Sequence, residues 1–287
     1  MISDRARRIV EGAEIPSIPH VLQKILKVTG DPTSSSRDLE KLITTEPALV
    51  THLLKTVNSA NFGYAKKVNS ISHTIVMLGV STVKSIASGL MLIDVFNNLP
   101  GLNQGYVVEV WKCSLVRAGV ARLLARGTSS EKQEELFLGA MVLDIGHLVL
   151  AQHHQQNYDA LTEDDPFPSP ATETESFEID HADTGAALLE TWQFSPAIID
   201  LVATHHQADT FAGDQNDLNW LELADGIARQ SGAVNEFLEM EEEDVHPDFL
   251  QRLTAAGWCW NDFRGQKDTI NEAIKFAHEV VTPVAEL

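Results

Sequence analysis

Apolar residues recur along this chain at the three- and four-residue spacing of a helix face, with no clear run of the two-residue alternation of a strand. Val21, Leu22, Ile25, Leu26 and Val28 make one stripe. Leu39, Leu42 and Ile43 make a second, and Leu49, Val50, Leu53, Leu54 and Val57 a third. Breakers fall between the stripes. Gly12 ends a first helix over 4–12, Ile15-Pro16-Ser17-Ile18-Pro19 is a rigid connector, and Gly30-Asp31-Pro32 stops the Val21–Val28 stripe. Ser35 or Ser36 can cap the next helix, and Pro47 suits a first helical turn. Ser70 to Gly79 reads as a short amphipathic helix closed by glycine, and Val80 opens a longer one to about Asn97.

Asn98-Leu99-Pro100-Gly101 is the best internal boundary, dividing an N-terminal helical lobe (1–100) from a second lobe (101–287). Helices are expected at 104–126 and 132–156. The second of these contains Leu138-Gly139-Ala140-Met141-Val142-Leu143-Asp144-Ile145-Gly146-His147-Leu148, an apolar run holding one carboxylate. An acid there is costly to bury unless something pairs with it. Residues 162–176 are polar and proline-rich and read as an exposed loop. Helices resume at 177–192, 195–206 (Ser195 as cap, Pro196 in the first turn) and 217–231. Glu239 to Asp244 is an acidic run, read as a solvated face, and Trp258 and Trp260 are expected packing anchors.

Composition narrows the function. The formal charge of −20 argues against nucleic-acid binding, which needs clustered Lys and Arg. No run is read as long enough to span a bilayer and the start has no apolar leader, so a cytoplasmic chain without membrane association is expected. The two cysteines, Cys113 and Cys259, suggest neither a disulfide framework nor a CxxC zinc site.

Two strings of residues carry a resemblance. The first is Ile18-Pro19, Glu46-Pro47-Ala48-Leu49, Val57-Asn58-Ser59-Ala60-Asn61-Phe62, Ile71, Ile75 and Leu78-Gly79. The second is Trp111-Lys112-Cys113-Ser114, Leu143-Asp144-Ile145-Gly146, Glu178, His181, Gly185, Leu189, Trp192, Pro196, Ile199 and His205-His206. The chain resembles the HDOD family, bacterial signalling modules related to HD-type metal-dependent phosphohydrolases. The likeness covers about 15–210, and Asp225 extends the HD-type pattern. It implies an all-α fold with an N-terminal helical lobe beside an HD-like lobe, and a non-enzymatic output role that engages other signalling proteins. The short polar start suggests that no receiver domain is present in this chain.

What the resemblance implies for the site is a set of histidines and carboxylates holding divalent metal, which lowers the pKa of an attacking water. Asp144, His181, His205, His206 and Asp225 match that pattern, whereas Cys113 and Leu143 stand where two of its histidines are expected. Leucine offers no lone pair, and a buried cysteine is usually inert. Glu109 lies one turn before Cys113 and can face the same site. His147 stands where HD-GYP relatives carry a lysine; a proton-donor role and a core-histidine role are both open, and the Gly-Tyr-Pro segment is absent after His206. Bland roles also remain open: His181 as hydrogen-bond partner of Asp144 or of a backbone carbonyl, one of His205 and His206 facing solvent, Asp225 paired with Arg229. The Val57–Tyr64 segment is either a partner surface or a polar helix end packed on the core.

A degenerate, non-catalytic HD-type site is therefore expected, with no cofactor. The alternatives are a phosphohydrolase with a reduced ligand set, using Mn, Fe, Zn or Mg with Asp144 and His147 as catalytic candidates, and a pocket that senses nucleotide or phosphate without cleaving it.

Overall fold

A computed structural model describes residues 2–28, 36–58, 67–97, 99–163, 165–207 and 215–285, and among these there is helix and no strand. The first half comprises α1 (Asp4–Gly12), α2 (His20–Val28), α3 (Ser36–Thr44), α4 (Pro47–Val57), α5 (Ile71–Leu78) and α6 (Val80–Asn97). Then come α7 (Gln104–Leu124), α8 (Ser130–Val142), α9 (Ile145–His154), α10 (Gln156–Leu161), α11 (Pro170–Phe177), α12 (His181–Thr191), α13 (Pro196–Thr204) and α14 (Gln215–Arg229). The tail holds α15 (Val234–Glu239), α16 (Pro247–Ala255), α17 (Trp260–Arg264) and α18 (Lys267–Ala285). The expected all-α architecture is what the chain adopts.

Local chemistry sets the helix starts. Ser70, Ser129, Ser169 and Ser195 each accept a hydrogen bond from the backbone N–H three residues on, a cap typically contributing about 1 kcal/mol. Pro47, Pro170 and Pro196 occupy first-turn positions, where no N–H is missed. Gly79 ends α5 at φ +83°, a conformation open to glycine. Ser36 lies inside α3; the alternative cap, Ser35, falls outside the described residues, as does most of Val57–Tyr64. Asn58 belongs to the described part, and its side chain bonds Leu54 O and Val68 O and accepts from Val68 N, all at 2.7 Å, tying the end of α4 to the next segment.

Four expectations change. The helix read over 132–156 is two helices: Leu143-Asp144 forms a turn, with Asp144 at φ −101°, ψ 17°, and α9 restarts at Ile145. The "loop" at 162–176 contains α11, because Ser169-Pro170 is a capped start. The helix read from 177 begins at His181 with Asp180 as cap. Lastly, 130–154 is by length and composition apolar enough to cross a membrane; its apolar window is 89% buried inside the fold, as core helices are.

Packing ties the two ends of the chain together. α1 packs chiefly on α9 and α12; its Ala6, Ile9 and Val10 are buried, Ser3 N donates to Asp183 Oδ1 at 3.0 Å and Arg7 pairs with Glu190 at 2.9 Å. α18 packs on α7 and also meets α6 and α4. Trp260 is buried and donates to Met240 O; Trp258 donates to Leu124 O. The acidic run is tied by Glu239 to Lys267 and by Glu241 to Arg264. Both cysteines are free.

Candidate metal centre

The centre is assembled where α7, α9, α11, α12, α13 and α14 meet. α9 and α12 approach so closely that a Cβ on Gly146 would lie 1.8 Å from His181 O and 2.7 Å from Gly185 N. Glycine at 146 and 185 is therefore what lets the His181 end of α12 sit against the Asp144 end of α9.

Asp144 is fully buried, and its two oxygens face different partners. Oδ2 accepts from Arg117 Nη1 at 2.7 Å and from Arg229 Nη2 at 3.3 Å. Oδ1 accepts no hydrogen bond and lies 3.5 Å from His205 Nε2 and 3.7 Å from His181 Nε2. His181 Nε2 is 3.4 Å from His205 Nε2 and 2.9 Å from His206 Nε2. These four donors, one each from Asp144, His181, His205 and His206, all lie within 4.8 Å of one another.

The other side of each ring is fixed. His205 Nδ1 donates to Val202 O at 2.7 Å. His181 Nδ1 donates to Glu173 Oε2 at 2.6 Å. Both hydrogen bonds leave the Nε2 lone pair pointing at the shared centre when the ring is neutral, the usual arrangement around a ligating histidine. The ring edge of His206 reaches solvent, but burial of the rest, followed by His205 and His181, pushes it down to about 3, so it is neutral and able to ligate near pH 7. A tetrahedral ion held at about 2.0–2.1 Å needs donor–donor edges of about 3.3 Å; four of the six edges, at 2.9, 3.4, 3.5 and 3.7 Å, bracket that value, and the two others, from His206 to Asp144 and His205, lie within 4.8 Å. The bare buried oxygen and the two aimed lone pairs fit one divalent cation.

Asp225, the fifth candidate, is not in that group. It pairs with Arg229 Nε at 2.7 Å and with Arg117 Nη1 at 3.1 Å. Arg117, wholly buried on α7, thus joins the two carboxylates, and they hold its guanidinium above the ordinary arginine value against the effect of burial. Burial alone would raise the Asp144 carboxyl, but Arg117, contact with His205, and Arg229 outweigh it and hold it well below the usual carboxylate range. Arg229 stacks over Phe167 at 4.7 Å, which orients its head.

Of the two replaced positions, Leu143 lines a cleft of about 550 Å³ that also reaches His205, His206 and Asp225. Cys113 is buried one turn before Arg117; burial pushes its thiol up to about 12, so it is no thiolate ligand. Glu109 pairs with Lys112 at 3.1 Å on the outside and does not face the site.

His147 is buried in α9 and stacked on His181 with centroids 3.9 Å apart. Its Nδ1 lies 2.6 Å from Tyr158 Oη and 3.0 Å from Glu173 Oε1. Glu173, absent from the sequence reading, is the hub of this layer. It also accepts from the backbone N–H of His181 at 2.8 Å and from Tyr158 Oη at 2.7 Å. Burial would raise its carboxyl; the bonds from His147 and His181 hold it below the usual range. A second group of possible metal donors, His147, Glu173 and His181, is held together by these contacts, which leave His147 Nε2 without a hydrogen-bond partner. The glutamate the sequence did single out, Glu178, is an exposed helix end paired with Arg5 at 2.8 Å.

Comparison with known proteins agrees with this architecture. Residues 15–208 match the model of the HDOD domain. An uncharacterized protein of Treponema pallidum (strain Nichols) is 27% identical over 202 residues, covering 67% of this chain and 38% of that protein, so the chain spans well under half of its relative's length. Among solved structures, an HDOD domain protein with unknown function from Geobacter sulfurreducens superposes with a TM-score of 0.75 at 18% identity, covering 96% of each chain. A "Putative phosphohydrolase" from Shewanella amazonensis SB2B gives 0.71 at 19%, covering 96% and 98%. A "Putative signal transduction protein" from Marinobacter aquaeolei VT8 gives 0.70 at 19%, covering 95% of this chain and 59% of that one. At these identities the shared property is the fold.

Proposed function

This chain belongs to the HDOD domain family, and on that premise we propose that it is a cytoplasmic signal-transduction module, working through other signalling proteins, whose HD-type centre does not hydrolyse phosphoesters. One observation carries the reading. The buried Arg117 guanidinium is bonded to Asp144 Oδ2 at 2.7 Å and lies 3.1 Å from Asp225 Oδ1. Two carboxylates that an HD-type hydrolase would turn toward metal are here neutralised by a protein cation, with Arg229 as a second.

The remaining donor set supports the same conclusion. Asp144 Oδ1 and the Nε2 atoms of His181, His205 and His206 suit one ion such as Zn, Fe or Mn. Four protein ligands make a closed site of the structural kind, whereas a catalytic ion keeps a position open for water. Bound there, a cation would supply charge that orders the three rings, while Glu173 and Val202 O orient two of them. In this reading His147 is a brace of the layer behind the centre, its Nδ1 engaged by Tyr158 and Glu173.

The test is a metal-content measurement on protein purified without chelator, followed by phosphomonoesterase and phosphodiesterase assays with Mn, Fe, Zn and Mg in turn. Absence of turnover in every metal is expected. Robust turnover that disappears in Asp144→Ala would sink the proposal and establish the reduced-ligand hydrolase, which the four-donor cluster would then explain.

A further inference from the structure

A second cleft, of about 380 Å³, lies away from the metal centre between α2 and α6 on one side and α8 and the α12–α13 junction on the other. Its walls are Leu138, Trp192 and Ile198, and its floor carries Lys84, Ser88 and Glu134. Two floor atoms lack hydrogen-bond partners: Ser88 Oγ, on a residue 1% exposed, and Glu134 Oε1, on a residue 9% exposed. Lys84 Nζ stands 3.6 Å from Glu134 Oε2 and leaves the other oxygen unfilled. Buried polar groups without partners are costly, and here they line a space of the size small ligands occupy. An ionised carboxylate only accepts, so the missing partner must donate. Glu131 and Glu135 are the other charged lining residues, so the charge facing the cleft is net negative, which disfavours phosphates and other anions.

We propose that this cleft is an effector site for a small amphipathic amine, its apolar body against Trp192, Leu138 and Ile198 and its ammonium toward Glu134 and Ser88. The two helices that wall the cleft end at the metal centre. α8 runs from Glu134 to the Leu143-Asp144 turn, and α13 runs from Ile198 to His205-His206. A ligand that shifts either helix moves a member of the four-donor cluster. The proposal does not depend on whether that cluster is loaded or catalytic.

The test uses the full chain and 2-phenylethylamine as probe, with 3-phenylpropionate as the anionic control, followed by calorimetry and NMR. Saturable binding of the amine with a Kd of about 0.1–1 mM is expected for so small a ligand, with none for the anion. Ser88→Leu, which fills the floor, should weaken binding at least ten-fold. Glu135→Lys, on a half-exposed side chain that folding does not require, should weaken it about three-fold, and it carries the test if Ser88→Leu fails to fold. At saturation the ring resonances of His205 and His206 should shift. No saturable binding at 5 mM, equal binding of the anion, or unchanged affinity in folded variants overturns the site. Binding that leaves both histidine rings unmoved overturns its effector role.

Discussion

Replacing Arg117 by methionine separates a cation that substitutes for metal charge from one that merely fills space. Methionine keeps the apolar stem but removes the guanidinium, so Asp144 Oδ2 is left with Arg229 at 3.3 Å and Asp225 with Arg229 at 2.7 Å. Asp144 stays fully buried. Breaking one side of a buried pair costs about 3–5 kcal/mol, chiefly because the surviving charge is stranded. For a chain of 287 residues that is roughly 5–8 °C in Tm.

The informative measurement is the response to metal. The stranded carboxylates need positive charge, and Asp144 Oδ1 already faces three imidazoles. A divalent ion at 100 times its Kd returns about 2.7 kcal/mol, more than half of the low end of the loss. Thermal unfolding with and without Zn²⁺ or Mn²⁺ should therefore show a larger metal-induced rise in Arg117→Met than in the parent. A Tm loss below about 2 °C, or a metal response no larger than the parent's, would refute the idea that Arg117 does the work of a metal here. Arg117→Lys is the control: it keeps the positive charge on a shorter side chain, whose ammonium does not reach the Nη1 position that contacts both carboxylates, so partial loss is expected.

Gly146→Ala places a methyl 1.8 Å from His181 O and should cost 3 kcal/mol or more, roughly, in urea unfolding, because backbone cannot yield as a side chain does; a neutral result would mean that α9 and α12 are not so close. Glu173→Gln removes the negative charge and one of the two acceptor oxygens that hold His181 and the His147–Tyr158 pair, and should lower Zn²⁺ affinity about 10–100-fold by calorimetry; unchanged affinity would take Glu173 out of the centre. The His154 ring stacks on Phe177 at 4.1 Å, and burial, then His153, lower it from 6.5 to about 4. Because the folded value is the lower one, its stabilisation is complete above pH 6.5 and is lost as pH falls toward 4. With much of the ring in reach of solvent the effect is about 1–2 kcal/mol. His154→Phe should flatten that part of the Tm–pH curve.

How much of this was legible in the sequence depends on what each residue's signal was. Helix faces and serine caps are local, so the Ser195 cap and the stripes around Leu53 read directly. The break at Leu143-Asp144 did not, because apolar periodicity continues through it while the cause, a carboxylate drawn to Arg117, is a contact 27 residues away. Residues 162–176 misled through composition: Thr172-Glu173-Thr174-Glu175 looks solvated, yet Ser169-Pro170 is a helix start, and burying Glu173 requires two histidines that lie elsewhere in the chain. Asp144, His181, His205 and His206 were readable as a set because a family resemblance ordered them; their spacing alone did not.

Arg117 was the readable residue that went unread. It stands alone among Leu115, Val116, Ala118, Gly119, Val120 and Ala121, all small or apolar. Like Asp144, it is a lone charge in an apolar helix that must find a partner, with the opposite sign. Two such charges in one chain are each other's natural complement, and the structure joins them at 2.7 Å. The same pairing gives Cys113 and Leu143 their sense. Each offers no ligand where an HD-type pattern has an imidazole, and together they leave two carboxylates with fewer donors around any ion between them. A fixed guanidinium one turn beyond Cys113 supplies positive charge to both carboxylates with no need for those missing ligands. The three residues therefore work as a unit, so restoring histidine at 143 alone should not create a hydrolase while Arg117 holds Asp144 Oδ2. The triple change Cys113→His, Leu143→His and Arg117→Ala, assayed for Mn-dependent phosphodiesterase turnover against the single variant, is the comparison in which activity should first become measurable.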